Sequence, residues 1–206
     1  NYVLKSQFNK NKLPIELLTS YSERKFGANG FYGFTNYIDQ YEETQASLIG
    51  LSTVIKSGNF TWKPRIYWRR NQDLYLLVRN TPLTYRNLHI TNKVAAELNG
   101  SYQSTLGTTG FGVEFSKYYI SSNRLGDNQR EIASLFLEHR FQFFNNILDV
   151  TPGISASYFS DFDNQFFPGL DIGVKISDKF RAYGNIGTSY RVPTYTNLYY
   201  TSPVTI

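Results

Sequence analysis

Asp161 and Asp163 stand two residues apart in a stretch that also carries Tyr158, Phe159, Phe162, Phe166 and Phe167. Alternating carboxylates offer hard oxygen ligands, and Ca²⁺ is the structural ion that suits them. Two carboxylates supply only part of the oxygen shell such an ion takes. Two further stretches concentrate binding chemistry of another kind. Residues 26–41 set Phe31, Tyr32, Phe34, Tyr37 and Tyr41 among Gly27, Gly30 and Gly33, and residues 72–91 carry Tyr75, Arg79, Tyr85 and Arg86. Aromatic rings and guanidinium groups bury the most area and anchor best at interfaces. The expected ligand contacts are therefore Phe31, Tyr32, Tyr75, Arg79, Tyr85, Arg86, Tyr158 and Phe162, with Tyr195 further along. The competing account is that these side chains pack loop on loop, or against a surface lipoprotein partner.

Covalent catalysis finds little support. The 206 residues contain no Cys and only two histidines, His89 and His139. His139 lies between Glu138 and Arg140, and no G-x-S-x-G elbow presents a serine. Gly107-Thr108-Thr109-Gly110-Phe111-Gly112 has the spacing G-x-x-G-x-G with no helix after it, so it reads as a glycine-bearing hairpin rather than a phosphate loop. No enzyme activity and no catalytic residue is expected.

The elements that must hold these residues are extended. Period-2 alternation marks nine segments, near 15–25, 43–55, 60–70, 92–102, 109–120, 130–144, 148–160, 169–177 and 180–191. In 60–70, for example, Phe60, Trp62, Ile66 and Trp68 face away from Thr61, Lys63, Arg65 and Arg69. Residues 130–140 also fit a helical spacing through Ile132, Leu135, Phe136 and His139. Their alternation and the Asn145-Asn146 turn behind them favour a strand.

Short turns at Ser57-Gly58-Asn59, Thr105-Leu106-Gly107, Asn145-Asn146 and Ser177-Asp178-Lys179 alternate with longer connections at 26–41, 72–91, 121–129 and 160–168. The Gly and Asn residues suit the positive φ that such turns require. Sorting of short and long connections to opposite ends is the pattern of an antiparallel up-and-down transmembrane β-barrel, with short periplasmic turns and long extracellular loops. Trp62, Trp68, Tyr67, Tyr118, Tyr119, Tyr158 and Tyr183 would then form interfacial girdles.

The bulk numbers fit that reading. Mean hydropathy is −0.38, as expected when each strand averages an apolar and a polar face. The formal net charge is +5 and the charges are dispersed, with no basic run that would suggest nucleic acid as a partner. No apolar window is long enough for a membrane-crossing helix, and no signal peptide is visible. The absence of Met marks the sequence as a processed product or an internal piece. The strand start at Leu198-Tyr199-Tyr200, followed by Ser202-Pro203, suggests a contiguous slice of a larger barrel.

Phe167-Pro168-Gly169-Leu170-Asp171-Ile172-Gly173 and the run Ser189-Tyr190-Arg191-Val192-Pro193-Thr194-Tyr195-Thr196-Asn197-Leu198-Tyr199 resemble TonB-dependent outer-membrane receptors. Asn197 stands where that pattern usually has an acidic residue. Lys25-Phe26-Gly27-Ala28-Asn29-Gly30-Phe31-Tyr32, Tyr85-Arg86-Asn87, Ser134-Leu135-Phe136-Leu137-Glu138-His139-Arg140-Phe141, Val150-Thr151-Pro152-Gly153 and Tyr158-Phe159-Ser160-Asp161-Phe162 are similar to the vitamin B12 (cobalamin) branch of that family. The resemblance implies a barrel of roughly 22 strands, closed by an N-terminal plug and energised through a TonB box. Neither plug nor TonB box lies in this chain, so residues 1–206 read as a partial barrel domain of the cell outer membrane. Transport of a bulky scarce nutrient, cobalamin foremost, is the implied function. A siderophore, haem or oligosaccharide receptor, and a small self-contained barrel acting as an enzyme or adhesin, are the alternatives. No cofactor is implied beyond the calcium already considered.

Overall fold

The computed structural model describes residues 1–10, 13–32 and 36–200. Phe34 and Gly33 of the aromatic stretch, and Ser202 and Pro203, lie outside the described residues. The strands are β1 (Tyr2–Lys10), β2 (Leu13–Gly27), β3 (Tyr41–Thr53), β4 (Ile55–Ser57), β5 (Phe60–Leu76), β6 (Arg86–Ser104), β7 (Gly107–Ser122), β8 (Gly126–Phe143), β9 (Leu148–Phe159), β10 (Phe162–Ser177) and β11 (Phe180–Gly187). All belong to one antiparallel sheet in which neighbours in space are neighbours in sequence, with the short β4 pairing β5 beside the end of β3. The helical alternative for 130–140 is displaced by β8. A helical turn, α1 (Tyr195–Tyr199), follows β11.

Register sorts the side chains into two faces. Leu17, Leu51, Ile66, Ala96, Phe115, Ala133 and Tyr158 are successive cross-strand partners across β2, β3, β5, β6, β7, β8 and β9. Ser20, Leu48, Arg69, Lys93, Tyr118 and Arg130 form the matching row on the other face. Burial is inverted relative to a water-soluble sheet. Ile66, Phe115 and Leu135 are more than half exposed, whereas Glu42, Ser116, Arg130 and Asp149 are buried. All four of those polar residues lie on the polar face, the one that is inward when such a sheet closes into a barrel. An apolar outer face with a polar inner wall is the arrangement of a sheet whose outer solvent is hydrocarbon.

The inner wall satisfies its charges by pairing. Arg65 Nε donates to Glu97 at 3.0 Å, and Lys93 Nζ donates to Glu114 at 2.8 Å. Asp149, buried at 5 % exposure, takes Arg140 at 2.9 Å and also Arg181. Arg181 reaches it across β10 at Gly173, where a Cβ would lie 2.8 Å from the guanidinium.

On the outer face Phe60, Trp62, Tyr102 and Phe111 cluster at one level, with Phe60–Trp62 stacked at 5.6 Å and Phe60–Tyr102 at 4.6 Å. Trp68, Tyr119 and Tyr158 lie toward the other end of the strands. From Phe60 to Trp68 the chain runs about 26 Å along the strand, close to the ~9–11 residues with which a tilted strand crosses the hydrocarbon. Tyr67, Tyr118 and Tyr183, expected in the girdles, instead belong to the polar face, because each sits at the opposite parity from its girdle neighbours. His139 faces outward near the turns, bonded to Thr109 at 2.8 Å and 4.2 Å from the Phe141 ring centroid.

The expected connections are corrected in part. The four short turns stand, with Gly58, Asn145 and Asn146 at φ of 55°, 53° and 66°. At the other end, only residues 28–40 and 77–85 are long. Residues 123–125 alone separate β7 from β8, and Ser160 and Asp161 alone separate β9 from β10. Residues 121–129 and 160–168 read as loop in the sequence because alternation fails there. They are the paired ends of β7 and β8 and of β9 and β10 around tight turns, with a register shift between Phe162 and Gln165 that breaks the period. Eleven strands replace the nine expected. The alternation of β1 is interrupted by Ser6, and β4 has only three residues. Leu198-Tyr199-Tyr200 does not begin a strand: Thr194 caps a helical turn there, accepting from the Asn197 N–H at 3.3 Å.

Candidate functional site

Two clusters occupy the loop end of the inner wall. The first joins the loop 28–40 to β3, β5 and the loop 77–85. Ala28, Tyr75, Leu77 and Tyr85 form a small apolar core, with Val78 packed against it. Gln40, at 1 % exposure, organises the polar side. It accepts the Tyr75 hydroxyl at 2.8 Å, donates to the Tyr37 carbonyl at 2.8 Å, and its backbone N–H donates to Asn29 at 2.8 Å. The Tyr32 ring meets Tyr75 edge-on at 4.8 Å and Phe31 at 5.1 Å. Tyr32 donates its hydroxyl to Glu42 at 3.0 Å. Burial, then that hydrogen bond, push the Tyr32 hydroxyl well above the ordinary phenol range. Arg79 lies 3.9 Å from Asp39 and over the Tyr41 ring at 4.5 Å.

The second cluster is built on Arg130 of β8, at 8 % exposure. Its Nε donates to both Asp161 oxygens, at 2.7 and 2.9 Å, and Nη1 donates to the Pro193 carbonyl at 3.2 Å. The guanidinium lies 5.0 Å from the Phe162 ring centroid and 5.3 Å from that of Tyr195. Burial pushes the Tyr195 hydroxyl up to about 12. The two clusters approach one another through Tyr85, whose hydroxyl lies 3.0 Å from that of Tyr200 and whose ring lies under Arg124 at 4.5 Å.

Tyr32, Tyr75 and Tyr85 thus come together with Phe31 at their margin, and Phe162 and Tyr195 come together on Arg130. Arg79 sits at the rim of the first cluster. Arg86 is exposed, and its carbonyl accepts from Asn123 at 2.8 Å. Tyr158 stands apart on the outer face, 53 % exposed. Sequence reasoning missed Arg130, Gln40 and Glu42. The available signal for Arg130 was an arginine on the inward parity of a membrane strand, a position that demands a partner. The two carboxylates of the acidic pair are placed differently. Asp161 gives both oxygens to Arg130, Asp163 is exposed and only its carbonyl is engaged, by Gln165 at 3.2 Å. Among the described residues no three acidic or histidine side chains converge.

An inside-out sheet with sequential antiparallel strands and clusters gathered at one end can serve as a barrel wall with a capture surface. A family model, TonB dependent receptor-like, beta-barrel, matches residues 2–206. The chain belongs to that family. It is a family of receptors and transporters, not of enzymes. No curated protein matches the sequence. Among solved structures, the siderophore receptor PirA from Pseudomonas aeruginosa superposes with a TM-score of 0.71 at 14% identity, over 93% of this chain and 33% of that one. The siderophore receptor PirA from Acinetobacter baumannii gives 0.65 at 13% identity, over 89% of this chain and 32% of that one. The chain therefore spans about a third of the receptors it resembles. These likenesses bear on the fold. Neither match singles out the cobalamin branch.

Proposed function

We propose that this chain is one side of an outer-membrane barrel that captures a bulky, scarce nutrient at its loop-end clusters and imports it with energy delivered by TonB. A ferric siderophore is favoured over cobalamin as the cargo. The observation that carries the reading is the inverted burial: charges and tyrosines line the inner wall, and the aromatic–arginine clusters gather at its loop end. Tyr32, Tyr75 and Tyr85 offer flat faces and hydroxyls, and Arg79 and Arg124 offer cations at the margin. Such a surface suits a large ligand rimmed with oxygen atoms. Both named structural likenesses are siderophore receptors, which supports the choice of cargo.

In this reading the plug and TonB box belong to the longer protein, the loop end faces outside the cell, and a surface lipoprotein is a candidate partner. Movement of the cargo comes from rearrangement of the plug, with no covalent step. Titrating the complete receptor with ferric siderophores and with cyanocobalamin tests this. Saturable submicromolar binding of a ferric siderophore is expected. Binding of cyanocobalamin alone would return the cargo to the cobalamin branch, and binding of neither would overturn the receptor reading.

A further inference from the structure

Strand β11 leaves the sheet early. It ends at Gly187 opposite Gly169, whereas β10 continues to Phe162. The Thr188 N–H still reaches the Pro168 carbonyl at 3.2 Å. Beyond it, among the described residues, no backbone hydrogen bond ties 189–200 to the sheet. The chain crosses the inner wall instead, held at two places. Arg130 takes the Pro193 carbonyl and the Tyr195 ring, and Tyr85 takes the Tyr200 hydroxyl.

This closure is incomplete. Nη2 of Arg130 and the hydroxyl of Tyr195 are both enclosed without a hydrogen-bond partner. A buried donor without an acceptor forfeits its hydration with nothing in return. Both orphans are donors, and both lie where the strap meets the wall. Asp161 already neutralises Arg130, so the missing partner is an uncharged oxygen acceptor rather than a second counter-ion.

We propose that residues 188–200 form a hinged strap that closes over one neutral ligand oxygen, of amide or hydroxamate type, with Arg130 Nη2 and the Tyr195 hydroxyl donating to it. The oxygen site rests on the receptor reading above; the hinge does not. Without ligand, the orphaned donors weaken the closed form and the strap samples an open one. With ligand, both donors are satisfied and the closed form is favoured, a population shift set by the difference in affinity between the two forms.

The test uses the full-length receptor in detergent with a nitroxide on Thr196→Cys. This stretch has no native Cys, and any elsewhere in the protein is replaced by Ser. Expected without ligand are a mobile and an immobile spectral component. Tyr85→Phe, which removes one latch, should raise their ratio about fivefold, the scale of one hydrogen bond. A single immobile component unmoved by Tyr85→Phe would overturn the hinge. The probes for the oxygen site are ferrioxamine B and cyanocobalamin, with ferric citrate as the carboxylate control. Tyr195→Phe keeps the ring over Arg130 and should weaken whichever of the first two binds about tenfold, while Tyr190→Phe leaves its affinity unchanged. Equal affinity of wild type and Tyr195→Phe, or a loss confined to ferric citrate, overturns the oxygen site and leaves the receptor reading standing. Absence of saturable binding to wild type by all three overturns the site and counts against the receptor reading itself.

Discussion

Trp62 and Phe111 meet edge to face at 5.2 Å although β6 lies between their strands. They can do so because Gly100 is the cross-strand partner of both. A Cβ at Gly100 would stand 2.5 Å from Phe111 Cζ, inside the ring's own contact distance. The aromatic cluster near the turns is thus one surface across three strands, and the glycine that interrupts β6 is what makes it continuous. Gly100→Ala should push the Phe111 ring off its neighbour and cost about 1–3 kcal/mol through overpacking. Urea unfolding of the receptor in lipid vesicles would read this, and an unchanged midpoint would count against the shared surface.

The two faces make opposite predictions for the same kind of charge. Leu98→Arg on the outer face, level with Pro64 midway between Phe60 and Trp68, should cost about 2–4 kcal/mol because the band is deepest there. Ser134→Lys, on the inner wall opposite Glu114, should cost less than about 1 kcal/mol, since the charge enters a polar wall beside an acid. Folding yield into vesicles separates the two; equal losses would mean that the faces have been assigned wrongly.

Arg130 and Asp161 join β8 to the turn between β9 and β10. Arg130→Ala should destabilise the loop end by about 2–4 kcal/mol, because it removes at once the Asp161 pair, the Pro193 hydrogen bond and the packing of a buried side chain against Phe162 and Tyr195. Asp161→Asn, which keeps two acceptor or donor atoms near the guanidinium, should cost less. Amide exchange at residues 158–165 is the direct measurement: faster exchange in Arg130→Ala than in Asp161→Asn is expected.

Tyr195 supplies a pH dependence whose sign is fixed by its burial. Its ionisation lies at about 12, above the ordinary tyrosine value. Between ~10 and ~12 the folded chain therefore holds a proton that the unfolded chain has lost. The contribution to stability is full below ~10 and falls as pH rises through this window. Alkaline titration followed at the phenolate absorption should show a late-ionising group of tyrosines, Tyr32 and Tyr195 among them, that is smaller by one in Tyr195→Phe. An unchanged late amplitude in that variant would assign the late step to the other tyrosines alone.

Much of the wall was legible in the amino-acid order. Alternation between Trp62, Ile66 and Trp68 on one side and Lys63, Arg65 and Arg69 on the other is a local property, because side chains on a strand point to opposite faces with period two. Gly58 and Asn145-Asn146 marked their turns for a reason equally local, since few residues tolerate positive φ. That logic failed where its cause was absent. In 121–129 polar side chains follow one another through the turn, and in 160–168 a register shift between Phe162 and Gln165 breaks the period, so no alternation distinguished strand from loop.

The clusters were beyond such reading. Nothing in the neighbourhood of Arg130 announces Asp161 thirty-one residues on, or Pro193 sixty-three residues on. The same holds for Gln40 and Tyr75, thirty-five apart, which meet only because the loop 28–40 folds back over β5. The sequence by itself determined that this chain forms an alternating, membrane-type sheet with aromatic and arginine residues gathered toward one end. Only the tertiary structure decided that Asp161 serves Arg130, that Tyr67 and Tyr118 line the wall rather than the girdle, and that residues 189–200 lie across that wall. The physical reason is range: strand periodicity and turn chemistry act over a few residues. Register between strands, and the path of a segment that leaves the sheet, are set by contacts across the whole surface.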